Sequence, residues 1–240
     1  MEKPIFSVII PARNEEKYIA LCIRSVKASA LKANMSIEII VVLNRCTDNT
    51  ELIAKNEKCI ICFEDDKNLS KIRNVGAKIA QGEFLVTIDA DNRMSVNMLQ
   101  NIYKSLQSKK YIGGGTLIIP DRWSLGIIAT VLCVFPIAYL CGFSSGALFC
   151  SQKNFFAIGG FDENVLVLED IDFLRRLARY GKKKKQRLIT LYRSYVLYSC
   201  RKFDQFGDWH FFRYFKEYLS ILPPHKNTKV ANKFWYDVKR

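Results

Sequence analysis

Hydrophobic and polar positions alternate in blocks along the first ninety or so residues. Ile5–Ile10 reads IFSVII, a short, largely apolar run of the kind a strand buried on both faces requires. Ile19, Cys22, Ile23, Val26 and Ala30 then recur at helical spacing on one face. Ile37–Leu43 (IEIIVVL) predicts a second strand, and Thr47-Asp48 offers N-caps for a short helix beyond it. Cys59–Phe63 predicts a third, weaker strand. Ser70 is placed to cap a helix whose Ile72, Val75 and Ile79 face inward and which Gly82 ends. Phe84–Ile88 predicts a fourth strand that runs directly into Asp89-Ala90-Asp91. Such alternation implies an α/β fold, a mostly parallel central sheet with helices on both faces.

After Asn92 the pattern becomes mixed. A helix is expected near 96–106, a glycine turn at Gly113-Gly114-Gly115, a strand over Thr116–Ile119, and a helix from Glu169 that stops at Gly181. A strand over Leu188–Leu197 and an aromatic tail follow. Trp123–Gln152 contains no charged residue, and within it Leu125–Phe143 is just long enough to span a hydrocarbon core of about 30 Å. Pro136, the glycines and the need to keep two acidic regions on one side favour a buried or interfacial hairpin over a crossing. Trp123 and Tyr139 suit an interface.

Charge sharpens the division of the chain. Of a net charge of +14, residues 182–240 carry +11, from 15 basic and 4 acidic side chains. A basic tail of this kind suits an anionic membrane surface, a phosphorylated ligand or nucleic acid. No basic, then apolar, then cleavable segment opens the sequence, and the eight cysteines lack framework spacing. The expectation is a cytoplasmic protein with reduced thiols, peripheral on the inner face of the membrane. Cys59 and Cys62 lack a second pair or a nearby histidine, so zinc is not expected.

In an open parallel sheet, ligands collect beyond the carboxyl ends of the strands. Strand one exits into Pro11-Ala12-Arg13-Asn14-Glu15, strand two into Asn44-Arg45-Cys46-Thr47-Asp48, and strand four into Asp89-Ala90-Asp91. Carboxylates, an arginine and amides on one rim suit a nucleotide and a hard cation. If strand geometry persists, Asp89 and Asp91 project from the same side and reach one ion. Arg73-Asn74, on the helix leading into strand four, either reaches a base or phosphate or forms a surface salt bridge. Glu169-Asp170-Ile171-Asp172 either caps a helix or supplies a general base. Arg201-Lys202 reads as part of the basic face, with pyrophosphate contact as the other reading, and His210 as an aromatic-packed histidine rather than a metal ligand.

Three stretches, SVIIPARNEE (7–16), RNVGAKIAQGEFLVTIDAD (73–91) and FFAIGGFDENVLVLEDIDFLRRL (155–177), together resemble family 2 glycosyltransferases of the GT-A fold. The resemblance implies inverting transfer from a nucleotide-diphosphate sugar to a hydroxyl acceptor. It implies that Pro11, Ala12, Arg13, Glu15, Asn44, Arg73, Asp89 and Ala90 line the donor site, and that Asp89 and Asp91 serve Mg²⁺ or Mn²⁺. It further implies Asp170 as catalytic base with Glu169 and Asp172 in support. The corresponding division is a core over 1–181, with a nucleotide-binding half (1–110) and an acceptor half (111–181), followed by a basic aromatic extension over 182–240. The second strand departs from the family's VDDGSTD-like run, since only Asp48 remains of its acids, and no QxxRW-like motif follows. A glycan or lipid-linked glycan acceptor fits a membrane-proximal tail.

Two other readings are weaker. A nucleotidyltransferase would need a glycine-rich basic loop after strand one, and Pro11–Glu15 has no glycine. A non-catalytic basic module on membrane or nucleic acid fits the tail, but no nucleic-acid motif is present, so nucleic acid is not an expected partner.

Overall fold

The computed structural model describes residues 3–140 and 146–215. In chain order the elements are β1 (Phe6–Ala12), α1 (Ile19–Ala33), β2 (Ile37–Leu43), α2 (Thr50–Asn56), β3 (Ile60–Phe63), α3 (Leu69–Ile79), β4 (Phe84–Thr87), β5 (Arg93–Met94) and α4 (Met98–Gln107). There follow β6 (Tyr111–Pro120), α5 (Leu125–Leu140), β7 (Leu148–Ser151), α6 (Gln152–Ala157), α7 (Glu169–Lys183), β8 (Arg187–Tyr198), α8 (Arg201–Phe206) and α9 (His210–Arg213).

The eight strands form one sheet in the order β3-β2-β1-β4-β7-β6-β8-β5. β3, β2, β1 and β4 pair in parallel, as do β6 and β8, while β7 is antiparallel to both β4 and β6 and β5 is antiparallel to β8. The expected mostly parallel α/β sheet is therefore present. Side chains of β1 alternate between its faces: Phe6, Val8, Ile10 and Ala12 meet Ile19, Ile23 and Val26 of α1, whereas Ile9 meets Ile72 of α3. Helices α1 and α4 cover the first face; α3, α6 and α7 contribute to the core of the second. With both faces covered, every residue of β1 is buried, which explains its largely apolar run.

Several local expectations are corrected. Asn68, not Ser70, caps α3, its side chain accepting from the Lys71 N–H at 3.0 Å, and the helix ends at Ile79, before Gly82. Gly113-Gly114-Gly115 is no turn but the middle of β6. A Cβ on Gly114 would lie 1.8 Å from the Ile189 carbonyl oxygen, so glycine there permits the close approach of β8. Helix α7 continues past Gly181 to Lys183, and that glycine sits at a close packing contact, where a Cβ would meet Ile112 at 2.9 Å.

The uncharged segment holds no hairpin among the described residues. Its residues 125–140 form α5, Pro136 included, and 148–151 form β7; 141–145 lie outside the described residues. Leu125 and Leu132 are 78% and 68% exposed. Among the described residues no helix is long and apolar enough to cross a membrane. The sheet also continues beyond residue 181, since β8 lies inside it between β6 and β5. Within residues 182–240, β8 is paired on both edges, with β6 and with β5.

Candidate active site

Beyond the carboxyl ends of β1, β2 and β4 opens a cleft of about 260 Å³. Its lining includes Pro11, Ala12, Arg13 and Glu15 after β1, Asn44 after β2, Asp89, Ala90 and Asp91 after β4, Arg73 on α3, and Glu169 and Asp170 at the start of α7. These candidates meet in one place, whereas Asn14, Arg45, Cys46, Thr47, Asp48, Asn74 and Asp172 are not part of the lining, Asp172 instead accepting from Arg176 at 2.7 Å. Asn44 is buried there, and its side-chain amide donates to the Asp66 carbonyl at 2.9 Å, fixing the loop after β3.

Two arginines organise the carboxylates. Arg73, its side chain only 8% exposed, donates to Glu169 Oε1 at 2.7 Å and to Asp89 Oδ1 at 3.1 Å. Its guanidinium lies 5.2 Å from the centre of the Phe161 ring. Burial acts to lower its pKa, but the charges of Asp89, Glu169 and Asp170 outweigh that and raise it. Arg73 is therefore a buried cation, not the surface salt bridge that was one of its two readings. Arg201 donates to both oxygens of Glu15 at 2.6 and 2.9 Å and lies 2.8 Å from Asp91 Oδ2.

Strand geometry does not persist through the acidic triplet. β4 ends at Thr87, and the Asn92 N–H donates to the Asp89 carbonyl at 3.1 Å, closing a turn. Asp89 and Asp91 consequently bond different arginines. The donor set still fits a hard divalent cation. Asp89 is 48% exposed toward solvent, and the described residues contain no group of three His, Cys, Asp or Glu able to hold a metal unaided. A cation here would complete its shell from ligand oxygens and water, the usual arrangement for magnesium.

Asp170 stands at the first turn of α7, where Leu168 takes a left-handed φ of 62° to turn the chain into the helix. Its Oδ1 accepts from the Ile171 N–H at 2.8 Å. Burial, and next the charge of Glu169, push its pKa up to about 6 against the opposing pull of Arg73. Behind it, Asn74 fixes the preceding turn, donating to the Phe161 carbonyl at 2.9 Å and accepting from the Phe161 N–H at 2.9 Å.

Comparison with known proteins decides the family. The family model described as glycosyl transferase family 2 matches residues 7–161. The chain belongs to that family. Among curated relatives, glycosyltransferase GlyG of Streptococcus pneumoniae is 26% identical over 44% of this chain and 36% of its own length. The minor teichoic acid biosynthesis protein GgaA of Bacillus subtilis is 23% identical over 74% of this chain and 45% of its own. The chain thus spans about a third to a half of these relatives. Among solved structures, S. aureus TarS 1-349 in complex with UDP-GlcNAc superposes with a TM-score of 0.62 at 20% identity, over 81% of this chain and 58% of that one. The mannosyltransferase PcManGT from Pyrobaculum calidifontis, in complex with GDP-Man and Mn²⁺, gives 0.63 at 18%, over 82% and 57%. Both likenesses establish the GT-A fold.

In this family 2 glycosyltransferase the far wall of the cleft is built from residues that no sequence pattern marks. Leu166, Val167, Leu168, Tyr198, Arg201 and Lys202 line it as well. By local pattern Arg201-Lys202 reads as part of a basic face or as a pyrophosphate contact, and no local signal distinguishes the pair from other surface cations. Their position follows from β8 returning the chain to the cleft. His210 is buried, with Phe203 4.5 Å and Phe206 6.2 Å away between ring centres, matching the aromatic packing expected of it.

Proposed function

We propose that the protein is a metal-dependent, inverting glycosyltransferase that moves a sugar from a UDP or GDP sugar to a hydroxyl of a glycan or lipid-linked glycan. One observation carries the reading: a carboxyl with its pKa raised to about 6, Asp170, shares a single cleft with Asp89 and Asp91. Asp170 takes the proton from the acceptor hydroxyl as that oxygen attacks the anomeric carbon opposite the departing diphosphate. A base titrating near 6 is ionised at neutral pH yet more basic than an ordinary carboxylate. Glu169 supports it by holding Arg73. Pro11, Ala12, Arg13, Glu15, Asn44 and Ala90 form the nucleotide side. Asp89 and Asp91 would hold Mg²⁺ or Mn²⁺, which when bound neutralises the leaving diphosphate.

A peripheral site on the inner face of the membrane goes with this reading. Supporting it are the exposed apolar side chains of α5 and the exposed Trp209 and Phe212. Arg122 joins the two regions, donating to Asp204 at 2.9 Å and Asp208 at 2.7 Å, and the chain beyond 181 is strongly basic. A nucleic-acid module is disfavoured, because five carboxylates line the cleft against four cations. Thermal shift with UDP or GDP, with and without Mn²⁺, and hydrolysis of a panel of sugar nucleotides test the assignment. Metal-enhanced stabilisation by one nucleotide and slow hydrolysis of its sugar are expected; neither occurring would sink it.

A further inference from the structure

Arg201 opens α8 just after β8 ends and reaches across the cleft mouth to two carboxylates. Its grip on Glu15 is the fixed part. Glu15 is 2% exposed, its backbone N–H donates to Thr50 Oγ1 at 2.7 Å, and its carbonyl accepts from the Tyr18 and Ile19 N–H groups at 2.9 Å. Two parallel bonds to such an anchored carboxylate hold a guanidinium in one orientation. Tyr18 adds to this, its ring centre lying 5.5 Å from the guanidinium carbon. The nitrogen that bonds Glu15 Oε1 also faces Asp91 Oδ2 at 2.8 Å. A permanent cation is thus fixed against one of the two carboxylates assigned above to the divalent ion.

We propose that Arg201 is the standing counter-ion of Asp91, which blocks the divalent cation from the empty cleft and yields the carboxylate when a nucleoside diphosphate arrives. The inference rests on the reading of Asp91 as a cation ligand. In the empty cleft an incoming cation meets a guanidinium at contact distance from its ligand, and that repulsion lowers its affinity. A diphosphate supplies the negative charge that Arg201 needs in exchange, so cation and nucleotide strengthen one another by the same factor. Arg201 is a positioning residue in this scheme, and Glu15 is its anchor rather than a direct contact to the base.

The test is titration of the purified protein with Mn²⁺ alone, followed by paramagnetic resonance of the free ion, and then with Mn²⁺ plus UDP or GDP. Arg201→Met should bind Mn²⁺ alone roughly two- to fivefold more tightly than wild type, the scale of one lost charge contact. Because that variant strands the buried Glu15 carboxylate, the double variant Glu15→Gln/Arg201→Met is run beside it and should show the same gain. Adding Asp91→Asn to the double variant should cancel the gain. Unchanged or weaker Mn²⁺ affinity in both Arg201 variants overturns the proposal. If Asp91→Asn nevertheless abolishes Mn²⁺-dependent nucleotide binding, Asp91 keeps its ligand role and only the role of Arg201 falls. If Asp91→Asn changes neither measurement, both fall.

Discussion

Arg73 donates to Glu169 across 2.7 Å although 96 positions separate them in the chain. That one ion pair ties α3, which leads into the acidic turn after β4, to the helix that carries Asp170. The two halves of the cleft are therefore held by a buried charge contact as well as by the sheet.

Removing that cation should be costly. In Arg73→Met the partly buried carboxylates of Glu169 and Asp89 lose their partner, a change worth about 3–5 kcal/mol where a buried pair is broken. For a chain of this length each kcal/mol lowers Tm by about 2–4 °C. Calorimetry of the variant should show a drop of about 6–20 °C; an unchanged Tm would mean that the pair contributes nothing.

Asp170→Asn should remove a general base, cutting kcat by about 10²–10⁴-fold while nucleotide binding persists. Single-turnover transfer, with binding followed separately, reads both effects. Near wild-type turnover would strip Asp170 of its role.

The acid limb of the rate profile follows from the same carboxyl. With its pKa raised to about 6 in the free protein, the base protonates and kcat/KM falls as pH drops through about 6. Stability moves the opposite way. A folded-state pKa above the unfolded value means that the folded protein binds more protons between about pH 4 and 6, so stability declines as pH rises through that window. Above pH 6 Asp170→Asn should be more stable than wild type by on the order of 1–3 kcal/mol. Urea melts at pH 5 and pH 8 check the sign.

Gly114→Ala should fail to fold normally. Its Cβ would sit 1.8 Å from the Ile189 carbonyl oxygen, and backbone in the middle of a sheet has nowhere to go. Overpacking of this kind costs about 1–3 kcal/mol or more. Soluble yield and urea midpoint measure it, and a wild-type midpoint would contradict the strand spacing.

Membrane attachment is testable by flotation with vesicles containing anionic lipid. Wild type should float, and Leu125→Glu/Leu132→Glu should remain at the bottom, because each new charge would have to enter the interface. Wild type wholly in the soluble fraction would exclude the contact.

Much of this protein was legible one residue at a time. Buried parallel strands need apolar runs, their helices need apolar faces at a 3.6-residue period, and ligands gather where such strands end. Those local rules located β1 to β4 and the loops of Arg13, Glu15 and Asp89–Asp91 without reference to any distant residue. Tertiary structure decided the rest. Gly113–Gly115 looked like a turn because glycine's commonest local use is conformational, whereas here it makes room for a neighbouring strand some seventy residues away. Arg201 looked like one more surface charge because only the path of β8 through the sheet brings it to Glu15, 186 positions earlier. Which carboxylate faces which arginine is a matter of long-range approach, and no periodicity in a sequence encodes it.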